Sequence, residues 1–123
     1  MLYTVRQKDK GETNMKLLTK DILKKLPPLY ASENLESMDD VKIPLKLFNP
    51  GGAQTWYIVE YSPTERLFYG MCDLFGNQED MSFGYISQDE IEQFRGRFGL
   101  GIERDAWWDF HTTVKQVLSK EKR

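Results

Sequence analysis

The stretch Gln54-Thr55-Trp56-Tyr57-Ile58-Val59-Glu60-Tyr61 decides the fold. Strand alternation sends Trp56 and Ile58 to one side and Tyr57, Val59 and Tyr61 to the other, so both sides are apolar. Such a strand belongs at the centre of a sheet covered on both faces. The segment 67–75 reads the same way, with Phe68, Cys72 and Leu74 opposed to Leu67, Tyr69, Met71 and Phe75. On either side of this pair the pattern becomes one-sided. Ile43, Leu45 and Leu47 alternate with Lys42, Pro44 and Lys46, and Met81, Phe83 and Tyr85 alternate with Ser82 and Gly84. Lysines and a proline on the wet side suit edge strands. The separators are Asn49-Pro50-Gly51-Gly52, Ser62-Pro63-Thr64-Glu65 and Gly76-Asn77. The first and last carry residues that favour positive φ. The expectation is an α+β chain with a four-stranded antiparallel meander over about 43–86, in the order 1-2-3-4.

Short helices are expected beside the sheet, over about 20–26, 88–95 and 106–120. Thr19 can cap the first, whose apolar positions are Ile22, Leu23 and Leu26, with Leu18 as a staple onto Leu23. Pro27 and Pro28 stop it. Ser87-Gln88-Asp89-Glu90 is a capping box ahead of Ile91 and Phe94, and Gly96 ends that helix. Trp107, Phe110, Val114 and Val117 carry helical spacing for the third, weakened at its middle by Thr112 and Thr113. Residues 1–14 read as a flexible arm, 15–120 as a single domain and 121–123 as a basic tail.

The 123 residues are enough for one domain, and 40% apolar residues, with aromatics at 13% of the chain, supply its core. No apolar run approaches the roughly 20 residues of a membrane helix. The first ten residues lack the apolar stretch of a secretion signal. Cys72 is the single cysteine, which points to a reducing, cytoplasmic setting. Net charge is −2, distributed as +4 over residues 1–28, −9 over 29–110 and +3 over 111–123. An acidic body between basic ends is unlike the broad basic face of a nucleic-acid binder.

Several phrases occur in a telling order: Met15-Lys-Leu-Leu-Thr-Lys20, Lys46-Leu-Phe-Asn-Pro50 with Thr55-Trp56, and Phe68-Tyr-Gly-Met-Cys-Asp73-Leu74. Phe83-Gly-Tyr-Ile-Ser87 with Glu90 follows. Arg95-Gly96, Phe98-Gly-Leu100 and Ile102-Glu103-Arg104-Asp105 complete the series. Over residues 15–105 the chain resembles a family of small bacterial proteins catalogued as a domain of unknown function, met on plasmids, phages and other mobile elements. That resemblance implies a mobile-element accessory protein and implies no reaction. The chain departs from the pattern in residues 1–14 and in the aromatic run Ala106-Trp107-Trp108.

No catalytic constellation stands out. His111 is the single histidine, remote in sequence from Cys72, and one Cys with one His cannot build a four-ligand zinc site. Gly99-Leu100-Gly101 follows a helix and lacks the third glycine of a dinucleotide loop. No metal or cofactor is expected. Cys72 reads as a buried thiol and Trp56 as core. Asp73 falls on an apolar strand face, so it either bonds turn amides near Gly76 or pairs with Arg104 or Arg95 in a cleft. Glu103, Arg104 and Asp105, beside Trp107 and Trp108, form the densest charged spot after the sheet. Asp105 there can cap the last helix, or Arg104 can bind an anion beside a stacking tryptophan.

These residues motivate a leading expectation, a non-catalytic module for an unidentified protein partner, with Asp73, Arg95, Glu103, Arg104, Asp105, Trp107 and Trp108 as candidate binding residues. One alternative is nucleic-acid binding through Lys16, Lys20, Lys24, Lys25 and the tail, opposed by the missing basic stripe. Another is a small enzyme using Asp73, Glu103 and Asp105, with or without a divalent metal. Tyr57, Tyr61, Tyr69 and Tyr85 mark a sheet face that, if left open, is the first place to seek a partner.

Overall fold

Five antiparallel strands form one sheet in the computed structural model, which describes residues 17–76 and 81–121. The expected arm 1–14, Lys16, Asn77 and the end of the tail lie outside the described residues. The elements are α1 (Lys20–Lys25), β1 (Leu45–Phe48), β2 (Thr55–Ser62), β3 (Leu67–Asp73), β4 (Ser82–Ser87), α2 (Gln88–Gln93), β5 (Glu103–Arg104) and α3 (Val114–Glu121). Their order across the sheet is β4-β3-β2-β1-β5. The meander of the sequence reading is therefore present, with one strand more than expected.

That strand corrects the reading of β1 as an edge. Leu47 pairs with Arg104 and Phe48 with Glu103, so the Glu103-Arg104 pair closes the flank of β1. Ile43 lies ahead of β1, tied by its amide to Thr112 O at 2.8 Å, next to a bridge between Lys42 and Thr113. The turn at 49–52 also differs in mechanism from the expectation. No positive φ occurs at Gly51 or Gly52. Instead Asn49 Oδ1 accepts the Gly51 amide at 3.0 Å and Asn49 Nδ2 donates to Gln54 Oε1 at 2.8 Å, a side chain standing in for a backbone turn. Gly76 does take a positive φ, of 70°.

Both faces of the sheet are covered. Leu45, Leu47, Ile58, Phe68 and Ile86 face α1 and α2, meeting Ile22, Leu26, Ile91 and Phe94. On the opposite face Tyr57, Val59 and Met71 meet Ile43, Trp108 and the α3 residues Val114 and Val117. Strict alternation fails at one point. The register between β2 and β3 shifts between Ile58 and Glu60, a bulge in which Val59 is the extra residue. Beyond it the faces exchange, so Tyr61 joins Ile58 and Phe68 rather than Tyr57 and Val59. Gly70 opposes Ile58 at the bulge, and a Cβ there would lie 2.1 Å from Tyr57 O.

The first two helices form as their caps dictate. Thr19 Oγ1 accepts the Ile22 amide at 3.1 Å and Ser87 Oγ accepts the Glu90 amide at 3.2 Å. Leu23, expected on the apolar side of α1, is instead 42% exposed. The third helix is a correction: it begins at Val114, eight residues later than expected at 106. Thr113, read as a weakness, starts it. The Gln116 amide donates to Thr113 Oγ1 at 3.3 Å while the Thr113 amide donates to Gln116 Oε1 at 2.9 Å, a reciprocal capping box.

Candidate functional site

The bulge aims a carboxylate. Without the extra residue Glu60 would lie on the α1–α2 face, but the shifted register sets it opposite Tyr69, which in turn pairs with Tyr85. Glu60, Tyr69 and Tyr85 thus form one row across β2, β3 and β4. Glu60 is 3% exposed, and such a buried group needs hydrogen-bond partners. They come from the chain leaving α1. The amides of Tyr30 and Ser32 each donate to its carboxylate at 2.9 Å, and the Ser32 hydroxyl donates to it as well. Tyr30 reaches this position with φ at 72°, an uncommon conformation for a bulky residue, here fixed by its bond to Glu60.

The result is a groove of about 490 Å³ between the 30–38 segment and the outer strands, with Tyr30, Leu35, Tyr69 and Tyr85 among its walls and Glu60 and Glu33 among its polar groups. Tyr85 stands at 50° to Tyr69, with ring centroids 4.9 Å apart, and at 61° to Tyr30, 6.5 Å away. Tyr69 stacks on Phe83 at 5.7 Å, which fixes it from behind. Tyr30, Leu35 and Tyr85 are each more than half exposed. Desolvation among these neighbours, with smaller effects of Tyr30, Tyr69 and Glu60, holds the Tyr85 phenol above its ordinary pKa. Of the four tyrosines considered for an open face, Tyr57 and Tyr61 are buried, and only Tyr69 and Tyr85 reach this groove.

The residues singled out at 103–108 divide. Arg104, Asp105 and Trp108 border a cleft of about 240 Å³ with Lys25, Lys46 and Phe110. Its charges compensate one another locally. Lys46 Nζ lies 3.7 Å from Asp105 Oδ2 and 5.3 Å from the centre of the Trp108 ring, and Lys25 pairs with Asp21 at 2.7 Å while lying over Phe110. Trp108 Nε1 donates to Ile43 O at 2.7 Å, so this tryptophan is structural, whereas Trp107 is 95% exposed. Asp105 does not cap α3. Its Oδ1 accepts the Trp107 amide at 3.0 Å.

Asp73 and Arg95 stand apart from that cleft. Asp73, 4% exposed, pairs with Thr55, Thr55 with Phe48, and Phe48 with Glu103. Asp73 and Glu103 therefore share a row three strand spacings apart, about 14 Å, while Arg104 falls in the neighbouring row and on the other face. Arg95 donates from Nη1 to Phe94 O and Glu92 O. Of the proposed basic contacts, Lys20, Lys24 and Lys25 lie on α1. Among the described residues no cluster of three or more His, Cys, Asp or Glu is placed to hold a metal. Desolvation pushes the Cys72 thiol up.

Glu60 and Tyr30 were not singled out by sequence. The available signal was a lone carboxylate in the otherwise apolar run 56–61, since such a group must be satisfied by something.

The fold and groove define a small α+β domain with an antiparallel sheet sandwiched between short helices and loops, and with a tyrosine-lined recess at one side. The family model described as "Protein of unknown function (DUF2958)" matches residues 17–121, and the chain belongs to that family. No curated protein and no solved structure matches it. No helix among the described residues is long and apolar enough to cross a membrane.

Proposed function

We propose that the chain is a non-catalytic protein-interaction module, an accessory protein of mobile genetic elements acting in the cytoplasm. The observation that carries this reading is the groove. It places partly exposed aromatic rings in a concave surface whose floor is held by a bulge and a buried carboxylate. Pre-set aromatic anchors of this kind contribute strongly at protein interfaces because little side-chain freedom remains to be lost on binding. The carboxylate-enzyme alternative finds less support, since Asp73 and Glu103 lie about 14 Å apart by strand spacing, beyond the separations of cooperating carboxyl pairs.

The test is parallel affinity capture with the wild-type chain and with the Tyr30→Ala/Tyr85→Ala variant. Recovery of the same protein in repeated experiments, lost with the variant, is expected. Recovery of no specific protein, or of one that the variant retains equally, counts against the reading.

A further inference from the structure

We infer that the groove receives a cationic side chain, a lysine or arginine presented by a basic segment of a partner protein, against the aromatic wall of Tyr30, Tyr69 and Tyr85 beside the Glu60 carboxylate. This deepens the interaction reading and rests on it.

Three features of the groove favour a cation over an apolar or anionic group. The first is ring geometry. Tyr85 is inclined at 50° and 61° to its two neighbours, with centroids 4.9 and 6.5 Å apart, so the three rings pack into one angled aromatic wall along the groove. Aromatic faces carry negative electrostatic potential, and a cation laid against this wall gains from each face it meets. The second is the carboxylate. Among the described residues, the three hydrogen bonds to Glu60 come from neutral donors of Tyr30 and Ser32. Among the described residues no lysine or arginine forms an ion pair with Glu60 within 4 Å. Buried at low dielectric, that carboxylate projects its field into the groove with little screening. The third is the adjoining segment. The segment 29–41 carries Glu33, Glu36, Asp39 and Asp40 and no lysine or arginine. Of these Glu33 lines the groove itself, and an acidic segment beside an aromatic recess draws basic sequences and repels acidic ones.

A comparable case fails at the cleft beside Trp108, where each neighbouring lysine already has a carboxylate. Nucleic acid is disfavoured at the groove by Glu33, Glu60 and the acidic 29–41 segment, because a phosphate backbone seeks cations.

The inference is tested on the isotopically labelled full chain by NMR titration with three synthetic peptides of one neutral sequence. Their central residue is lysine, arginine or norleucine, the last keeping the alkyl chain without charge. The lysine and arginine peptides are expected to shift the amides of Tyr30, Ser32, Tyr69 and Tyr85 in a saturable way, at least about tenfold more tightly than the norleucine peptide. Tyr85→Leu, which keeps apolar bulk on an exposed site, should weaken the cationic peptides about fivefold or more, while Tyr85→Phe should retain them. Equal binding of the norleucine peptide, undiminished binding to Tyr85→Leu, or no saturable shift at the groove overturns the inference. A partner captured by wild type and lost with the double alanine variant would then still leave the interaction reading standing.

Discussion

At the scale of single residues, the bulge in β2 rests on Gly70 and is used by Glu60. A Cβ at Gly70 would meet Tyr57 O at 2.1 Å and Ile58 Cα at 2.9 Å, contacts with backbone that no rotamer change relieves. Gly70→Ala is therefore expected to cost about 3 kcal/mol, read as a lower midpoint in urea. Gly84→Ala is the control, because nothing lies within 4 Å of its Cβ position. There the loss of unfolded-state freedom should raise stability by about 0.5 kcal/mol. Glu60 acts on its neighbours through acceptance of hydrogen bonds. Glu60→Ala leaves the Tyr30 and Ser32 amides without their acceptor and is expected to cost about 2 kcal/mol. Hydrogen exchange should quicken at those two amides. Unchanged exchange there would show that the 29–34 segment is held by its own turns.

Among the elements, what the sequence disclosed and what it hid divide along local and non-local lines. β2, β3, α1 and α2 were legible because alternation, Thr19 and Ser87 act within a few residues. β5 was hidden because two residues carry no alternation, and its existence depends on pairing with β1 more than fifty residues earlier. The start of α3 was misread for another reason. Trp107, Phe110, Val114 and Val117 imitate a helical stripe, yet Asp105 and Asp109 intercept the chain by accepting the amides of Trp107 and His111 at 3.0 and 2.9 Å. Only after Thr113 does a helix begin. Its eight residues are too few to persist without packing and capping. Thr113→Ala should thus cost about 1 kcal/mol and quicken amide exchange in the first turn of α3. A variant with wild-type stability would show that packing of Val114 and Val117 alone sets the start of the helix.

For the molecule as a whole, the candidate groove was half legible. The acidic segment 29–41 and the aromatic character of β3 and β4 can be read from the chain, but only the register shift brings Glu60 into the row of Tyr69 and Tyr85. The same shift turns Tyr61 into the other core, where it lies 4.9 Å from the Phe68 ring and hydrogen-bonds Gln88 at 2.5 Å. Burial there raises the Tyr61 pKa, as desolvation raises those of Tyr85 and Cys72. Each of these groups is neutral when protonated, so the folded state holds its proton to higher pH than the unfolded chain does. Below the unfolded values, about 8.5 for the thiol and about 10 for the phenols, both states are protonated and the groups leave stability unchanged. As pH rises through those values the unfolded chain releases protons first, and stability falls until the folded groups titrate too. Urea midpoints should therefore be flat near neutrality and decline in the alkaline range, more steeply above about pH 10. Tyr61→Phe separates the contributions. It keeps the ring against Phe68, loses about 1 kcal/mol at neutral pH with the Gln88 hydrogen bond, and should decline less steeply with rising pH than the wild type. An alkaline slope identical to wild type would mean that Tyr61 titrates alike in both states, and that the core around Phe68 admits water as the phenol ionises.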